Sequence, residues 1–285
     1  MDTALAVDIG GTKLAAGLVS EEGEVITSAT APCRADDAEA LFSVLLALVD
    51  SVGGNGEVAV CGVGCGGPMT RGGETVSPLN IAVWRDFPLR PRLAEATGLA
   101  TFVDNDAKAL ALGEGWKGAA AGEDNFIAMG VSTGVGGGIV LDGRLLDGAS
   151  GNAGHIGHVC VEPDGRVCVC GARGCLEAEA SGTSIAAATG RPADEAGPEV
   201  VARTGRLVGR AVASVANLLD LPLAVVAGSV ALGYGEPFFA AAQAELDVQA
   251  RLAFSAGARI SQAGLGAIGP LVGAAAVGWR GVGRL

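Results

Sequence analysis

The stretch ALAVDIGGTKLAAGLVS, residues 4–20, decides the fold. An apolar run ends at Ile9, Gly10 and Gly11 permit a sharp reversal, and a second apolar run starts at Leu14, so the segment predicts a hairpin. The pattern returns in NFIAMGVSTGVGGGIVLDGRLL, residues 125–146, again strand, glycine turn, strand. Two hairpins of one design read as an internal repeat on the scale of a lobe rather than of a solenoid.

The segments around them complete an alternating pattern. GEVITSATAP (23–32) continues the first hairpin as a third strand, and VAVCGVGCGGPM (58–69) is a buried strand running into a glycine loop. LATFVDND (99–106) and PLAVVAGSVA (222–231) are further strands. Helical spacing of apolar residues marks 36–52, behind acidic starters, and also 107–118 and 208–221. Strands alternating with helices imply an α/β chain with mixed sheets in two related lobes. The expected division is a smaller N-terminal lobe, 1–107 plus 270–285, and a larger C-terminal lobe, 108–269, around an interlobe cleft with a hinge near 106–110.

Composition narrows the class. The chain has 285 residues, a net charge of -12 and 47 glycines, with few aromatics. Such acidity argues against a nucleic-acid partner, which needs a basic face, but not against a nucleotide held by backbone N–H groups. Seven cysteines are an odd number and no signal-peptide pattern opens the chain, so free thiols in a reducing cytoplasm are expected. The uncharged run 263–279 approaches membrane-spanning length, but its five glycines and Pro270 fit a buried loop and helix, so no membrane association is expected.

The glycine turns carry chemistry. In VDIGGTK (7–13), Gly10 and Gly11 let backbone N–H groups converge, Thr12 and Lys13 add a hydroxyl and a cation, and Asp8 suits a magnesium ion held through water. Alone, this motif is equally an ordinary hairpin turn. Its repetition in STGVGGG (132–138), with Thr133 and Gly134, points to two loops clamping one polyphosphate across the cleft. Gly228 and Ser229, at a strand end, would let an adenosine approach the backbone. Neither turn matches GxxxxGK[ST] or GxGxxG, which counts against both of those folds.

At the end of another strand stand Asn105 and Asp106. Local sequence leaves Asp106 two roles: cap of the following helix, or general base for a hydroxyl nucleophile with Asn105 fixing neighbouring hydroxyls. Phosphoryl transfer needs little beyond such a base, alignment and charge neutralisation.

Both histidines, His155 and His158, lie just before Cys168, Cys170 and Cys175. Three thiolates and the His158 imidazole satisfy four-coordinate zinc, and with every position filled by protein the metal is structural. Its indirect effect would be to orient the His158 ring. Cys160 breaks the pattern, and Cys33, Cys61 and Cys65 read as small core residues.

Taken in order, VDIGGTK, VDND, GVSTGVGGG, GHIGH and CVCGARGCLE resemble the ROK family of bacterial sugar kinases and repressors across essentially the whole chain. The resemblance implies the actin-like, hexokinase (ribonuclease H-like) fold, ATP with magnesium, a hexose in the cleft and a homodimer. It implies that Asn105 and Asp106 bind sugar hydroxyls with Asp106 as base. It also implies that His158 touches the sugar while ligating zinc, that Glu177 accepts a hydroxyl near the anomeric end, and that Gly67 and Asn80 line the pocket. His155 stands where glucokinase-like members commonly carry glutamate, and with VVAGSVAL (225–232) it resembles N-acetylmannosamine kinases. SPLNIAVWRDFPL (77–89) instead resembles the glucokinase loop. Glucose is the expected acceptor and N-acetylmannosamine the alternative, with polyphosphate open as a second donor. A repressor would need a basic DNA-binding segment ahead of the first glycine loop, where only seven residues precede Asp8.

Overall fold

The computed structural model describes residues 2–53 and 57–285. Its strands are β1 (Thr3–Ile9), β2 (Lys13–Ser20), β3 (Val25–Pro32), β4 (Val58–Cys65), β5 (Thr101–Asn105), β6 (Phe126–Val131), β7 (Val135–Leu141), β8 (Arg144–Leu145), β9 (Leu223–Ala227) and β10 (Arg259–Gln262). Its helices are α1 (Ala38–Ser51), α2 (Leu89–Thr97), α3 (Asp106–Lys117), α4 (Leu176–Ala180), α5 (Gly182–Thr189), α6 (Pro198–Leu219), α7 (Ser229–Tyr234), α8 (Glu236–Gln249) and α9 (Gly269–Gly281). They form two compact units: Met1–Ala121 with Asp147–Ala153 and Gly264–Leu285, and Gly122–Leu146 with Gly154–Ala263.

In the first unit the sheet order is β3-β2-β1-β4-β5. The hairpin closes with Ile9 opposite Leu14, while β1, β4 and β5 run parallel, with Ile9 level with Cys65 and Cys65 level with Asn105. Alternation along β1 sorts the core. Leu5, Val7 and Ile9 join Leu41, Phe42 and Leu45 of α1 and the stacked rings of Trp84 and Phe87. Ala4 and Ala6 face the other way, with Val60, onto Ala274, Ala275 and Trp279 of α9. Asp37 caps α1 by accepting the Ala40 N–H at 2.8 Å, in keeping with the acidic start expected there.

The second unit repeats the plan, with order β10-β9-β6-β7-β8. Again the hairpin partners are antiparallel (β6 with β7), and β6, β9 and β10 are parallel. The internal repeat read from the glycine hairpins is therefore a repeat of topology. Its core gathers Ile127, Met129, Val212 and Phe238.

Several elements differ from expectation. Helix α6 begins at Pro198, ten residues before the periodic stretch that signalled it, because Pro suits a helix's first turn. Its partner α8 was not anticipated: EPFFAAAQAELDVQ is too rich in alanine to show a clear apolar stripe. The two approach closely, and a Cβ on Gly209 would stand 2.2 Å from the Ala242 carbonyl oxygen. The unit boundaries also differ from 107/108 and 269/270. Helix α3 belongs to the first unit because Gly113 and Gly273 let it lie directly on α9. Residues 106–110, expected at a hinge, thus sit inside α3, and by its spans the first unit is the longer one rather than the smaller. The apolar run 263–279 resolves into a loop and α9, and among the described residues no helix is long and apolar enough to cross a membrane.

The contact of α9 with β4 tolerates no side chain at its centre. A Cβ on Gly62 would stand 2.0 Å from the Ala274 carbonyl oxygen and 2.6 Å from the Gly278 nitrogen. Backbone cannot yield as a flexible side chain would, so Gly62→Ala is expected to destabilise the protein by about 1–3 kcal/mol. Urea unfolding measures this; an unchanged midpoint would refute the packing described.

Candidate active site

In the first unit, three level strand ends bring the polar groups together, where open α/β sheets bind ligands. β1 supplies Asp8 and the 10–13 turn, closed by Gly10 N–H donating to the Lys13 carbonyl at 3.0 Å. Asn80 lies over this turn: a Cβ on Gly11 would be 2.6 Å from the Asn80 Cβ. β4 runs into Gly66 and Gly67, where an added Cβ would be 4.0 Å from Asp106 Oδ2 and 3.5 Å from Asn105 Nδ2 respectively. The fold thus gathers Asp8, Gly10, Gly11, Gly67, Asn80, Asn105 and Asp106, with Thr12 and Lys13 exposed at the rim.

Asn105 is the N-cap of α3 and accepts the Ala107 N–H at 3.0 Å. Asp106 is the first helical residue and is exposed, although its Oδ1 also takes the Ala107 N–H, at 2.9 Å. Both side chains thus reach the Ala107 N–H, and Asn105 holds the N-cap position. Burial, then the negative charge of Asp106, pushes the Asp8 carboxyl up to about 7, with Lys13 opposing only in part. Two carboxylates in mutual repulsion with one exposed lysine nearby fit a hard divalent cation such as Mg²⁺.

In the second unit, the ends of β6 and β9 meet. Ser132 Oγ and Ser229 Oγ are 2.9 Å apart, and Gly228 holds φ of 99° with Val131 so close that a Cβ would lie 2.3 Å from its carbonyl oxygen. Ser132, Thr133 and Ser229 line a pocket of about 470 Å³ together with Thr183, Asp194 and Tyr234. That volume lies within the range of small-ligand sites. Thr133, Gly228 and Ser229 were expected at a nucleotide; Thr183, Asp194 and Tyr234 were missed, since no motif contains them. Tyr234 was the detectable signal, as the only tyrosine in a chain poor in aromatics. Its hydroxyl donates to the Ala193 carbonyl at 2.8 Å, and burial, then Asp194, raises its pKa.

Glu177 stands against the glycine turn, not apart from it. Its Oε2 accepts the Val135 N–H at 3.1 Å and would be 3.0 Å from a Cβ on Gly134. The rings of His155 and His158 have centroids 6.0 Å apart, His155 exposed and His158 partly buried.

Ligand atoms of His158, Cys168, Cys170 and Cys175 all lie within 4.8 Å of one another. Cys168 Sγ is 3.7 Å from His158 Nδ1, and Cys170 Sγ is 3.7 Å from Cys175 Sγ. Ligands at about 2.0–2.3 Å from a tetrahedral zinc are separated by roughly 3.3–3.8 Å, so the residues present fit the metal. His158 turns Nδ1 toward the thiols, which leaves Nε2 as its other available nitrogen. A hydrogen bond from the Ala172 N–H, then Cys168, lowers the Cys170 thiol, whereas burial, then Cys170, pushes Cys175 up to about 12. Gly174, at φ of 70°, passes so near Glu162 that a Cβ would meet its carbonyl oxygen at 1.6 Å. Cys160 pairs through its backbone with Cys175 but stays outside the cluster, and Cys61 and Cys65 are buried core residues as expected.

Residues 4–279 match the model of the ROK family. A glucokinase of Thermotoga maritima is 41% identical over 184 residues, 64% of this chain and 58% of that protein, so the match spans less than two thirds of that relative. An N-acetylmannosamine kinase of Escherichia fergusonii is 38% identical over 252 residues, 82% of this chain and 85% of that protein. The crystal structure of a ROK family glucokinase from Streptomyces griseus in complex with glucose and AMPPNP superposes with a TM-score of 0.85 at 31% identity, covering 98% of this chain and 99% of that one.

Two predictions follow from the geometry. Metal analysis of the purified protein is expected to give one zinc per chain, lost in Cys175→Ser; a metal-free native protein would refute the cluster's role. Asp8, with its folded pKa above its unfolded value, binds its proton more tightly when folded. Stability from this group is thus present below about pH 4 and is lost as the pH rises toward 7. Urea midpoints measured from pH 4 to 7 without magnesium should fall less steeply in Asp8→Asn than in the parent.

Proposed function

The chain belongs to the ROK family, and from that premise we propose that it is an ATP-dependent kinase that phosphorylates the 6-hydroxyl of a hexose. The observation that carries the reading is the exposed Asp106 carboxylate at the first turn of α3, with helix capping taken by Asn105. In this reading Asp106 accepts the proton of the 6-hydroxyl as its oxygen attacks the γ-phosphorus, and the bond to the β-bridging oxygen breaks. Asn105, Gly67 and Asn80 line the sugar's side of the first unit. His155, Glu177 and Nε2 of His158 are the groups the second unit offers to sugar hydroxyls. The 10–13 turn and the Thr133–Gly134 turn hold phosphates through backbone N–H groups, and the pocket beside Ser229 takes the adenosine. Asp8 would hold a Mg²⁺ ion through water when ATP is bound, and the ion would supply charge neutralisation at the phosphoryl oxygens.

Glucose is the proposed acceptor, supported by the 77–89 loop and by the glucokinase relatives. A specific observation favours N-acetylmannosamine as a second reading: residue 155 is histidine. Neutral imidazole donates one hydrogen bond and accepts another, so His155 can offer an N–H to an acetamido carbonyl, which a carboxylate cannot. The two sugars are separated by kcat/KM in a coupled ADP-release assay. Asp106→Ala is expected to lower kcat about 10²–10⁴-fold while sugar binding survives. Turnover near the parent's rate in that variant would remove Asp106 from the mechanism.

A further inference from the structure

The Ser132–Val135 turn is held from one side by a single short segment. The Ser132 carbonyl accepts the Gly182 N–H at 2.7 Å. The Thr133 carbonyl accepts twice from Thr183, from its N–H at 3.3 Å and from its Oγ1 at 2.9 Å. The Val135 N–H donates to Glu177 Oε2 at 3.1 Å. Among the described residues, the N–H groups of Thr133 and Gly134 have no protein acceptor. Carbonyls are thus drawn toward residues 177–183, while two adjacent N–H groups stay available, which is the arrangement an anion requires.

That segment is itself ordered at both ends. It starts two residues after Cys175, a member of the proposed zinc set, and the Leu176 N–H donates to the Val159 carbonyl at 2.9 Å. Between α4 and α5, buried Ser181 bonds Ser184 Oγ at 2.9 Å, and Ser184 Oγ donates to the Glu177 carbonyl at 2.9 Å. Gly182 can approach because it lacks a side chain: a Cβ there would lie 3.0 Å from the Ser132 oxygen.

We propose that Thr183 is a positioning residue for the nucleotide phosphates, latching the Thr133 carbonyl so that the turn keeps its anion-binding shape. The inference rests on the kinase reading above. Thr183 acts through Thr133, so its loss should be felt in proportion to the phosphates the ligand carries. A hydroxyl-to-carbonyl bond is modest, and its removal is expected to weaken triphosphate binding about 3- to 10-fold.

Calorimetric titration in magnesium buffer tests this with adenosine, ADP and a non-hydrolysable ATP analogue. Thr183→Val should weaken the analogue and ADP by a clearly larger factor than adenosine, whose proposed pocket Thr183 also lines, and leave the sugar unchanged. Thr183→Ser, which keeps the hydroxyl, should restore parental affinity. Thr183→Ala should reproduce the ligand ranking of Thr183→Val, so the result does not depend on one variant's folding. Equal affinity of Thr183→Val and parent for every ligand would overturn the latch alone. So would a loss as large for adenosine as for the triphosphate, which would make Thr183 a nucleoside contact. A parent protein that binds no nucleotide at all would instead overturn the kinase reading, and the latch with it.

Discussion

Parallel register is the constraint on which the candidate site residues of each unit depend. Ile9 lies level with Cys65, and Cys65 with Asn105, so β1, β4 and β5 end together and release Gly10, Gly66 and Asp106 as neighbours. In the other sheet Gly130 lies level with Ala227, which brings the segments holding Ser132 and Ser229 side by side. A one-residue slip would turn the inward face of a strand outward and separate these groups. Burial on both faces prevents that slip, since apolar residues of β1 and β4 are packed from either side.

The acidic side chains divide by how their charge is met. Glu114, fully buried, accepts N–H groups from Ala119, Gly264 and Leu265 at 2.7, 2.9 and 3.1 Å. Burial would raise Asp147, but Lys108 and then Arg280 hold it below the usual carboxylate range. Glu179 is likewise raised by burial, and the Arg166 N–H with Arg203 brings it down. Asp8 has only the partial opposition of Lys13, which burial and Asp106 outweigh, and its pKa moves the other way. Structural acids here are neutralised within the protein, whereas Asp8 leaves a charge for a ligand to meet, as functional sites commonly do.

The cysteine hairpin joins these themes. Its four side chains would fill the coordination sphere of a zinc ion and leave no position open for a substrate. Its position matters more: one arm ends in His158 and the other leads through Glu177 to the segment bonded to the phosphate turn. A Cβ on Gly157 would stand 2.2 Å from the Val135 carbonyl oxygen, so both arms rest on the start of β7. A rigid cluster is a physical means of fixing these short loops where no extended secondary structure does so.

Local chemistry determined a good deal. Glycine pairs between apolar runs specify hairpins wherever they occur, and thiols at the spacing of Cys168, Cys170 and Cys175 specify a metal site, because turn conformation and ligand chemistry are properties of a few adjacent residues. The repeat, and the convergence of His158 with Cys168, Cys170 and Cys175, were legible for that reason. Helix α8 was not, since its alanine-rich face becomes a packing surface only against the glycines of α6. Nor was the assignment of α3 to the first unit, which depends on α9 arriving from the far end of the chain. That Thr183 bonds a turn 50 residues earlier was decided by tertiary structure alone. Such pairings are set by where distant segments meet, and no local pattern encodes that.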